Sequence, residues 1–484
     1  MSGTEPAPSP TRPGADGAVQ NSSLQRDRLG VIGVTFFVVA AVAPMAAVVG
    51  GSPVVFASTG AAAPAVFLLA GVLFTVFSVG YVTMSRRIRN AGGFVTYVAS
   101  GLGTRAGAAA AGVTVLFYVA VQCALWSQYG VFVTQLFADR LGLPVPRVVL
   151  LLLSLLLVTA LTARGVDISL KVLGVLLLLE VATFVVLDIG ILVQGGGPSG
   201  GSLAGFTPDA VLAPGLGVAF LFCVACFTGF EATVVFSEEA RDPRRTIPRA
   251  AYLSIGFIGL FYAFTTWCLS TANGLGTVQD DAAAKLESGT FVPDIAGRYL
   301  GSSFVTVLDF LVVTSFLAML IGFHNLFARY VFALGRAGAI PTVLGRTSSR
   351  SRTPVAAALA IGATELVVLG GFEVARADPI GTTYFWLLAL GTASLLTVLL
   401  VTCIAMLSFL AGSRAEEGLW RTTVAPALSL VGFVVVLYLA ITNYALLGGS
   451  GAGTWLLLGI PLLAVLGWWR ATARRDLDFA ANLS

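Results

Sequence analysis

The chain has 484 residues, of which 57% are hydrophobic and only 11% are charged, and its mean hydropathy is +0.91. Charged residues make up about a quarter of an ordinary soluble domain, so this composition excludes a soluble globular protein and indicates one large membrane bundle. The single histidine, His324, excludes metal sites built from several imidazoles. No cofactor, resident metal or nucleic-acid partner is predicted.

All five cysteines fall inside apolar stretches, which argues against an extracellular disulfide framework. Cys223 and Cys226 have the C-x-x-C spacing, but no second pair accompanies them. We interpret them as small packing residues rather than as a metal or redox pair. Arginine far outnumbers lysine, and alanine and glycine are abundant, which is typical of a GC-rich bacterial genome.

Residues 1–27 are rich in proline, glycine and serine and contain no apolar run, which predicts a disordered cytoplasmic tail rather than a signal peptide. Twelve apolar stretches follow, each of a length suited to crossing a bilayer as a helix. They are numbered here as spans 1–12: 30–51, 62–84, 106–137, 147–163, 172–193, 215–237, 250–272, 302–328, 355–372, 383–410, 424–446 and 454–469.

The distribution of basic residues predicts the orientation of these spans. With the N-terminus inside, only five of the 28 lysines and arginines lie on the outer side: Arg140, Arg147, Lys285, Arg298 and Arg376. Basic residues concentrate on the cytoplasmic side of membrane proteins. The chain is therefore predicted to be a multi-pass protein of the cytoplasmic (inner) membrane with both termini in the cytoplasm.

Spans 1 and 6 are interrupted near their middles. In span 1, Pro44 removes a backbone donor within the small-residue segment 43–47. In span 6, residues 227–231 (FTGFE) place a glycine and a carboxylate at membrane depth. Broken helices at corresponding positions of two halves indicate a secondary transporter built from inverted repeats, although a simple kink remains the alternative for each.

The two broken spans are five spans apart. This spacing divides the chain into 28–193 (spans 1–5), 194–410 (spans 6–10), 411–469 (spans 11 and 12) and a cytoplasmic tail, 470–484. Because each half has five spans, the two halves must have opposite topology.

Several segments resemble the amino acid–polyamine–organocation (APC) superfamily. They are 227–231 with 237–249, 90–97 after span 2, 165–171 at the entry to span 5, and 323–336 with 353–354 at the exit of span 8. The resemblance covers about residues 28–470. It implies a leucine-transporter-type fold, all-α, with two inverted five-helix repeats and two extra C-terminal helices. It also implies amino acid transport by alternating access. Members commonly carry a glycine-rich break in helix 1, where this chain has Ala43-Pro44-Met45-Ala46-Ala47.

Half-helix ends offer free N–H and C=O groups, which suit the carboxylate and ammonium groups of an amino acid. The predicted substrate site is therefore formed by Ala43, Pro44, Met45, Ala46 and Ala47 with Cys226, Phe227, Thr228, Gly229 and Phe230. Phe227 is either a gate over the substrate or a packing aromatic. On span 3, Gln122 and Trp126 share a face with Tyr129, and this stripe either lines the pocket or hydrogen-bonds to a neighbouring helix.

Glu180, near the middle of span 5, is the predicted coupling site. In relatives an ionisable residue lies near this position, and Thr314 and Ser315 on span 8 are candidate ion ligands facing it. An inert, hydrogen-bonded Glu180 is the alternative. Glu231 is predicted either to sense protons at the inner gate or to cap the second half-helix. Asp188 is expected to reach water, and His324 to pack or hydrogen-bond locally.

The favoured function is a proton-coupled amino acid symporter. An amino acid, amine or polyamine exchanger and a Na⁺-coupled carrier remain open as alternatives, as does the oligomeric state. A membrane-embedded enzyme is remote, because one histidine and scattered acids do not form a catalytic cluster.

Overall fold

The computed structural model describes residues 30–88, 93–165, 170–230, 233, 240–348, 353–442 and 452–473. Within these residues the chain forms helices joined by turns, without a β-sheet. Nine helical stretches in this part of the chain are long and apolar enough to cross a membrane, and three shorter apolar helices accompany them. The predicted all-α membrane protein is confirmed.

The principal helices are α1 (Val31–Val42), α2 (Ser52–Thr59), α3 (Ala63–Ser85), α4 (Gly93–Leu102), α5 (Thr104–Gln135), α6 (Arg147–Ala163), α7 (Leu170–Val193), α8 (Leu216–Cys226), α9 (Pro243–Asn273), α10 (Val278–Ala284), α11 (Phe291–Leu300), α12 (Ser302–Arg336), α13 (Val355–Val374), α14 (Phe385–Leu410), α15 (Ala425–Thr442) and α16 (Gly459–Ala473). Short helical turns connect or extend them. They are Pro44–Ala46, Ala47–Gly51, Gly60–Ala62, Leu136–Arg140, Ala204–Phe206, Pro208–Val211, Thr342–Gly345, Pro379–Tyr384, Ala411–Ser413, Arg414–Glu417, Trp420–Val424 and Ala452–Leu456.

Each predicted span corresponds to one of these elements. Span 1 (30–51) contains α1 and the turns Pro44–Ala46 and Ala47–Gly51, and α2 extends the helix beyond the predicted end; span 2 is α3. Spans 3–5 are α5–α7, span 6 begins as α8, span 7 is α9, spans 8–10 are α12–α14, and spans 11 and 12 are α15 and α16. Hydropathy did not predict α4, α10 and α11, because at 7 to 10 residues they are too short to cross a bilayer.

The helices pack closely where glycines face each other. The helix α3 lies against α9, and a Cβ atom added to Gly71 would come within 3.2 Å of the Gly259 Cα. The helix α5 lies against α12, α14 and α16. Outside this core, large apolar side chains such as Leu153, Leu156 and Leu178 are exposed, which is the surface that lipid tails cover.

Candidate functional site

The first break separates α1 from α2. The helix α1 ends at Val42, and Ala43 has φ 51° and ψ 77°, a left-handed conformation. Such a backbone disfavours any L-residue with a side chain by about 1–2 kcal/mol. Pro44 then starts a new helical turn, because its missing N–H is not needed at a first helical position. The chain therefore leaves and restarts the helix at this point, which is more than a kink.

The second break follows α8. The helix ends at Cys226, and residues 227–230 form turns. Gly229 has φ 112°, a conformation that is open essentially to glycine alone. Both interruptions predicted from the sequence are therefore present. Glu231, the last residue of this motif, lies outside the described residues.

The two breaks lie against each other. A Cβ atom added to Gly229 would lie 3.4 Å from the Val42 Cγ2, at the end of α1. A Cβ added to Gly51 would meet the Cys226 Sγ at 2.9 Å. The absence of side chains at Gly51 and Gly229 is what allows the two irregular segments to approach so closely.

A cavity of about 50 Å³ lies between these breaks and the helices α5, α12 and α14. By the criterion that one buried water needs at least about 10–15 Å³, it has room for a few waters or one small ligand. It is lined by Val42, Ala46, Ala47, Gly51, Val121, Leu125, Gln128, Phe222, Ala225, Cys226, Thr228, Met319, Phe323, Tyr384 and Leu388. None of these side chains carries a charge.

Few polar side chains face this cavity. The Thr228 hydroxyl has no hydrogen-bond partner among the described residues. The Gln128 Nε2 donates to the Gly50 carbonyl oxygen over 2.8 Å, and Gln128 also interacts with the Tyr384 hydroxyl. Gln128 and Tyr384 also line a smaller cavity of about 10 Å³ toward Glu287. They therefore form the boundary between the two cavities.

Of the residues predicted to bind substrate, Ala46, Ala47, Cys226 and Thr228 line the cavity. Ala43, Pro44, Met45 and Gly229 shape the breaks beside it. The sequence interpretation missed Gln128 and Tyr384. A polar residue at mid-span was the available signal for Gln128, whereas Tyr384 precedes α14 and gave none.

Phe227 and Phe230 lie away from the cavity lining. Phe227 stacks on Phe74 with ring centroids 5.1 Å apart, and it is fully buried. Phe230 packs edge-on against Phe74 and Phe77. Of the two interpretations of Phe227, the structure supports packing against α3 in this conformation.

Glu180 reaches the first break from α7. The Met45 N–H donates to the Glu180 Oε2 over 3.2 Å, and the glutamate is 5% exposed. A carboxylate at the start of a helical segment satisfies a free donor and complements the helix dipole. Ser315 interacts with Glu180 without a hydrogen bond of ordinary geometry. Thr314, by contrast, is exposed, and its hydroxyl donates to the Phe310 carbonyl of its own helix.

Gln122 and Trp126 belong to a different group, which we call the His324 network: Gln122, Trp126, His324 and Glu365. All four side chains are fully buried, and they join α5, α12 and α13. The Trp126 Nε1 donates to the Glu365 Oε2 over 3.2 Å, and the Gln122 Nε2 lies 3.2 Å from the His324 Nδ1. The polar stripe on span 3 therefore hydrogen-bonds to neighbouring helices instead of lining the cavity. Its third member, Tyr129, forms a hydrogen bond with Ser154.

Two local expectations need correction. Asp188 is 2% exposed and accepts a hydrogen bond from the Thr265 Oγ1 over 2.8 Å, so it does not reach water. The neighbouring helix α9 covers it, which hydropathy could not show. His324 contacts residues more than 30 positions away instead of bonding locally, because α12 continues to Arg336 and places it well inside the bundle.

The chain matches the family model "Amino acid permease" over residues 29–465. It is 26% identical over 312 residues to the low-affinity putrescine importer PlaP of Escherichia coli. The aligned region covers 63% of this chain and 65% of PlaP. It is 30% identical over 157 residues to Asc-type amino acid transporter 1 of Mus musculus, covering 32% and 28% of the two chains.

It is also 26% identical over 305 residues to the histidine permease of Saccharomyces cerevisiae, covering 58% of this chain and 49% of the permease. The matched region thus spans slightly less than two thirds of the length of PlaP and less of the other relatives. The family model, however, covers nearly all of the present chain, including both helix breaks and the cavity between them. The protein belongs to the amino acid permease family.

Proposed function

We propose that the protein carries amino acids across the cytoplasmic membrane by alternating access, with the cavity between the two breaks as its substrate site. Family membership and relatives named for amino acid and putrescine transport support this proposal. Membership of a permease family also favours a carrier over a membrane-embedded enzyme. The excess of basic residues on one side of the spans supports a cytoplasmic location for both termini.

The substrate we propose is a small α-amino acid with an apolar side chain. An amino acid zwitterion has no net charge, and backbone N–H and C=O groups at the two breaks can meet its carboxylate and ammonium. A diamine such as putrescine carries two positive charges and would need carboxylates, yet none is found among the described residues that line the cavity. The apolar walls and the small volume favour a short side chain.

The contact between Glu180 and Met45 is the single observation that supports proton coupling. It joins an ionisable side chain on α7 directly to the helix break beside the cavity. Protonation of Glu180 would remove the charge that the Met45 N–H stabilises, and so would change how firmly α7 holds this segment. A group that binds a proton differently in two conformations biases their populations.

Glu180→Gln tests this coupling, because glutamine can still accept from the Met45 N–H but cannot ionise. A thermal-shift screen with L-amino acids and putrescine would first identify a ligand, since binding to the folded state raises its stability. In proteoliposomes the variant should lose uptake of that ligand driven by a proton gradient and retain exchange of internal for external ligand.

Unchanged concentrative uptake by Glu180→Gln would exclude Glu180 as the coupling site. Uptake that stops when choline replaces Na⁺, but continues with a protonophore, would assign Na⁺ as the coupling ion. Exchange without any ion-driven accumulation in the wild-type protein would support an exchanger.

A further inference from the structure

A cluster of charged side chains lies at one end of the bundle, away from the proposed transport site. Arg86 and Arg87 follow α3, whereas Glu416, Glu417 and Arg421 belong to the helical turns between α14 and α15. We call these five residues the Arg86 cluster. In the orientation that the basic residues support, this end faces the cytoplasm.

Arg87 is fully engaged within the cluster. Its Nη2 donates to the Glu416 Oε2 over 2.7 Å, and its Nη1 donates to the Ser413 Oγ over 2.6 Å. These two hydrogen bonds join the end of α3 to the segment after α14. Arg87 therefore has a structural role, and Glu416 neutralises its charge.

Arg86 and Arg421, by contrast, share a single carboxylate. The Arg86 Nη1 lies 3.9 Å and the Arg421 Nη1 lies 3.6 Å from the Glu417 Oε2, and both distances are too long for hydrogen bonds. The Arg86 Nε is also without a hydrogen-bond partner among the described residues. Three arginines and two glutamates leave the cluster with one positive charge and with unused donors.

A third helix adds polar groups to the same surface. Arg421 and Arg86 both act electrostatically on the Tyr252 hydroxyl of α9, so the three side chains lie close together. Tyr252 is partly exposed, and the exposed Arg249 lies one helical turn before it on the same face of α9. Trp420, next to Arg421, is exposed as well, and tryptophan favours the membrane–water interface.

An apolar stripe on α3 leads to this polar surface. Val72, Val76 and Val79 are at least partly exposed and share one helix face with Arg86, at spacings of four, three and seven residues. The neighbouring helices α9 and α15 both pack against α3 and carry exposed apolar side chains such as Leu253 and Leu428. An acyl chain can therefore lie along α3 with its headgroup at Arg86.

This combination of groups fits an anionic phospholipid. A phosphate diester carries one negative charge and several acceptor oxygens, which match the charge and the donors of Arg86 and Arg421. A soluble anion would use the arginines without the apolar stripe. A zwitterionic lipid would use the stripe but has no net charge to match that of the cluster.

We propose that Arg86 and Arg421, with Tyr252 and Arg249 beside them, bind the phosphate group of one anionic phospholipid of the inner leaflet. The lipid would connect α3, α9 and the turn before α15 through one headgroup. The Arg86 Nε gives up no hydrogen bond among the described residues when the side chain turns toward this phosphate. The inference uses the proposed orientation only to choose the leaflet, and it is independent of the substrate and the coupling ion.

Lipid binding to the purified full-length protein tests this site without transport. Native mass spectrometry in detergent would count the molecules bound during titration with dioleoyl phosphatidylglycerol, dioleoyl phosphatidylcholine or glycerol phosphate. One phosphatidylglycerol should bind about tenfold or more tightly than phosphatidylcholine, because each arginine near an anionic group contributes about fivefold. Equal binding of phosphatidylcholine would overturn the role of the arginines. Equal binding of glycerol phosphate would assign the site to a soluble anion and overturn the lipid.

Arg421→Gln removes one of the two binding cations and should weaken phosphatidylglycerol binding about fivefold. Arg164→Gln is the matched control, because it removes the same charge from an exposed residue on the same proposed side of the membrane. Arg164 follows α6, which packs against α5, α12 and α13 instead of α3. A similar loss in both variants would show that binding follows total charge, and it would overturn the site.

Glu417→Gln distinguishes a lipid site from a cluster that only stabilises the fold. It removes the carboxylate that competes with the phosphate for both arginines, so phosphatidylglycerol should bind about fivefold more tightly. The lipid should also raise the thermal midpoint of this variant more than that of the wild-type protein, since a ligand of the folded state stabilises it. Unchanged or weaker binding in Glu417→Gln would overturn the proposal. This variant also decides the question if Arg421→Gln does not fold.

Discussion

Two regions of this protein bury a glutamate, and they do so in opposite ways. At the helix breaks, Glu180 receives a hydrogen bond from one backbone N–H and faces a serine hydroxyl that is not fully engaged. In the His324 network, Glu365 contacts a tryptophan and a histidine side chain from two other helices. The first carboxylate lies where the backbone is irregular, and the second lies between regular helices.

This difference teaches what each region can do. A carboxylate held by one backbone donor beside a break can exchange its partner for water, a proton or an ion when the break rearranges. A carboxylate held by side chains of two neighbouring helices can change only if those helices move together with its own. We therefore expect the breaks to control movement and the His324 network to control the rigidity of α5, α12 and α13.

The most severe test compares the stabilities of Glu365→Ala and Glu180→Ala. Glu365→Ala leaves the Trp126 Nε1 without its acceptor, removes the carboxylate beside His324 and opens a void, which should cost about 3 kcal/mol or more of unfolding free energy. Glu180→Ala leaves one backbone N–H unpaired, at about 1–2 kcal/mol. Thermal midpoints in one detergent would compare them. An equal or larger loss for Glu180→Ala would reverse the comparison.

Gly229→Val should damage ligand binding more than the fold. Valine at φ 112° is strained by about 1–3 kcal/mol, and the break must deform to relieve the strain. Ligand-induced thermal stabilisation should disappear, while membrane insertion persists because the apolar character of the segment is kept. Gly256→Val is the matched control, since a side chain there meets no atom within 4 Å. Normal ligand stabilisation in Gly229→Val would show that the break is not part of the site.

The sequence predicted the spans and the breaks because both are local properties. Twenty apolar residues must form a helix in a bilayer, and Pro44 and Gly229 interrupt one wherever the helix packs. The family resemblance indicated Glu180 as a candidate coupling residue, but its contact with the first break was not predicted. The network of Gln122, Trp126, His324 and Glu365 could not be predicted, because its members are up to 243 positions apart and depend on how α5, α12 and α13 pack.

Thr314 and Ser315 show that the sequence also could not predict which of two adjacent side chains faces a neighbouring helix. Neighbouring residues on a helix point about 100° apart, so sequence position alone could not tell which hydroxyl faces α7. The structure turns Ser315 toward Glu180 and leaves Thr314 on the exposed side.

Ser315→Ala removes the hydroxyl that faces Glu180 and should therefore lower ion-driven uptake by about three- to tenfold, which corresponds to about 0.7–1.4 kcal/mol. Thr314→Val keeps the shape of its side chain and should leave uptake unchanged. Initial rates in proteoliposomes at equal protein density would measure both. A loss confined to Thr314→Val would contradict the placement of α12 relative to Glu180.

The smallest expected effect concerns Ala43, whose left-handed backbone forms the first break. Glycine adopts this conformation without the clash that a Cβ atom creates, so Ala43→Gly should stabilise the protein by about 1 kcal/mol. Ala46→Gly is the matched control three residues away. Ala46 has φ −63° and ψ −39°, an ordinary helical backbone, so glycine should destabilise the protein there by about 0.5–1 kcal/mol. Thermal midpoints should thus move in opposite directions for the same chemical change. If both fall, the backbone at Ala43 is not left-handed in the folded protein. If Ala43→Gly stabilises the protein but slows transport, the strain at the break contributes to the conformational change, and the two regions differ in stored strain as well as in hydrogen bonding.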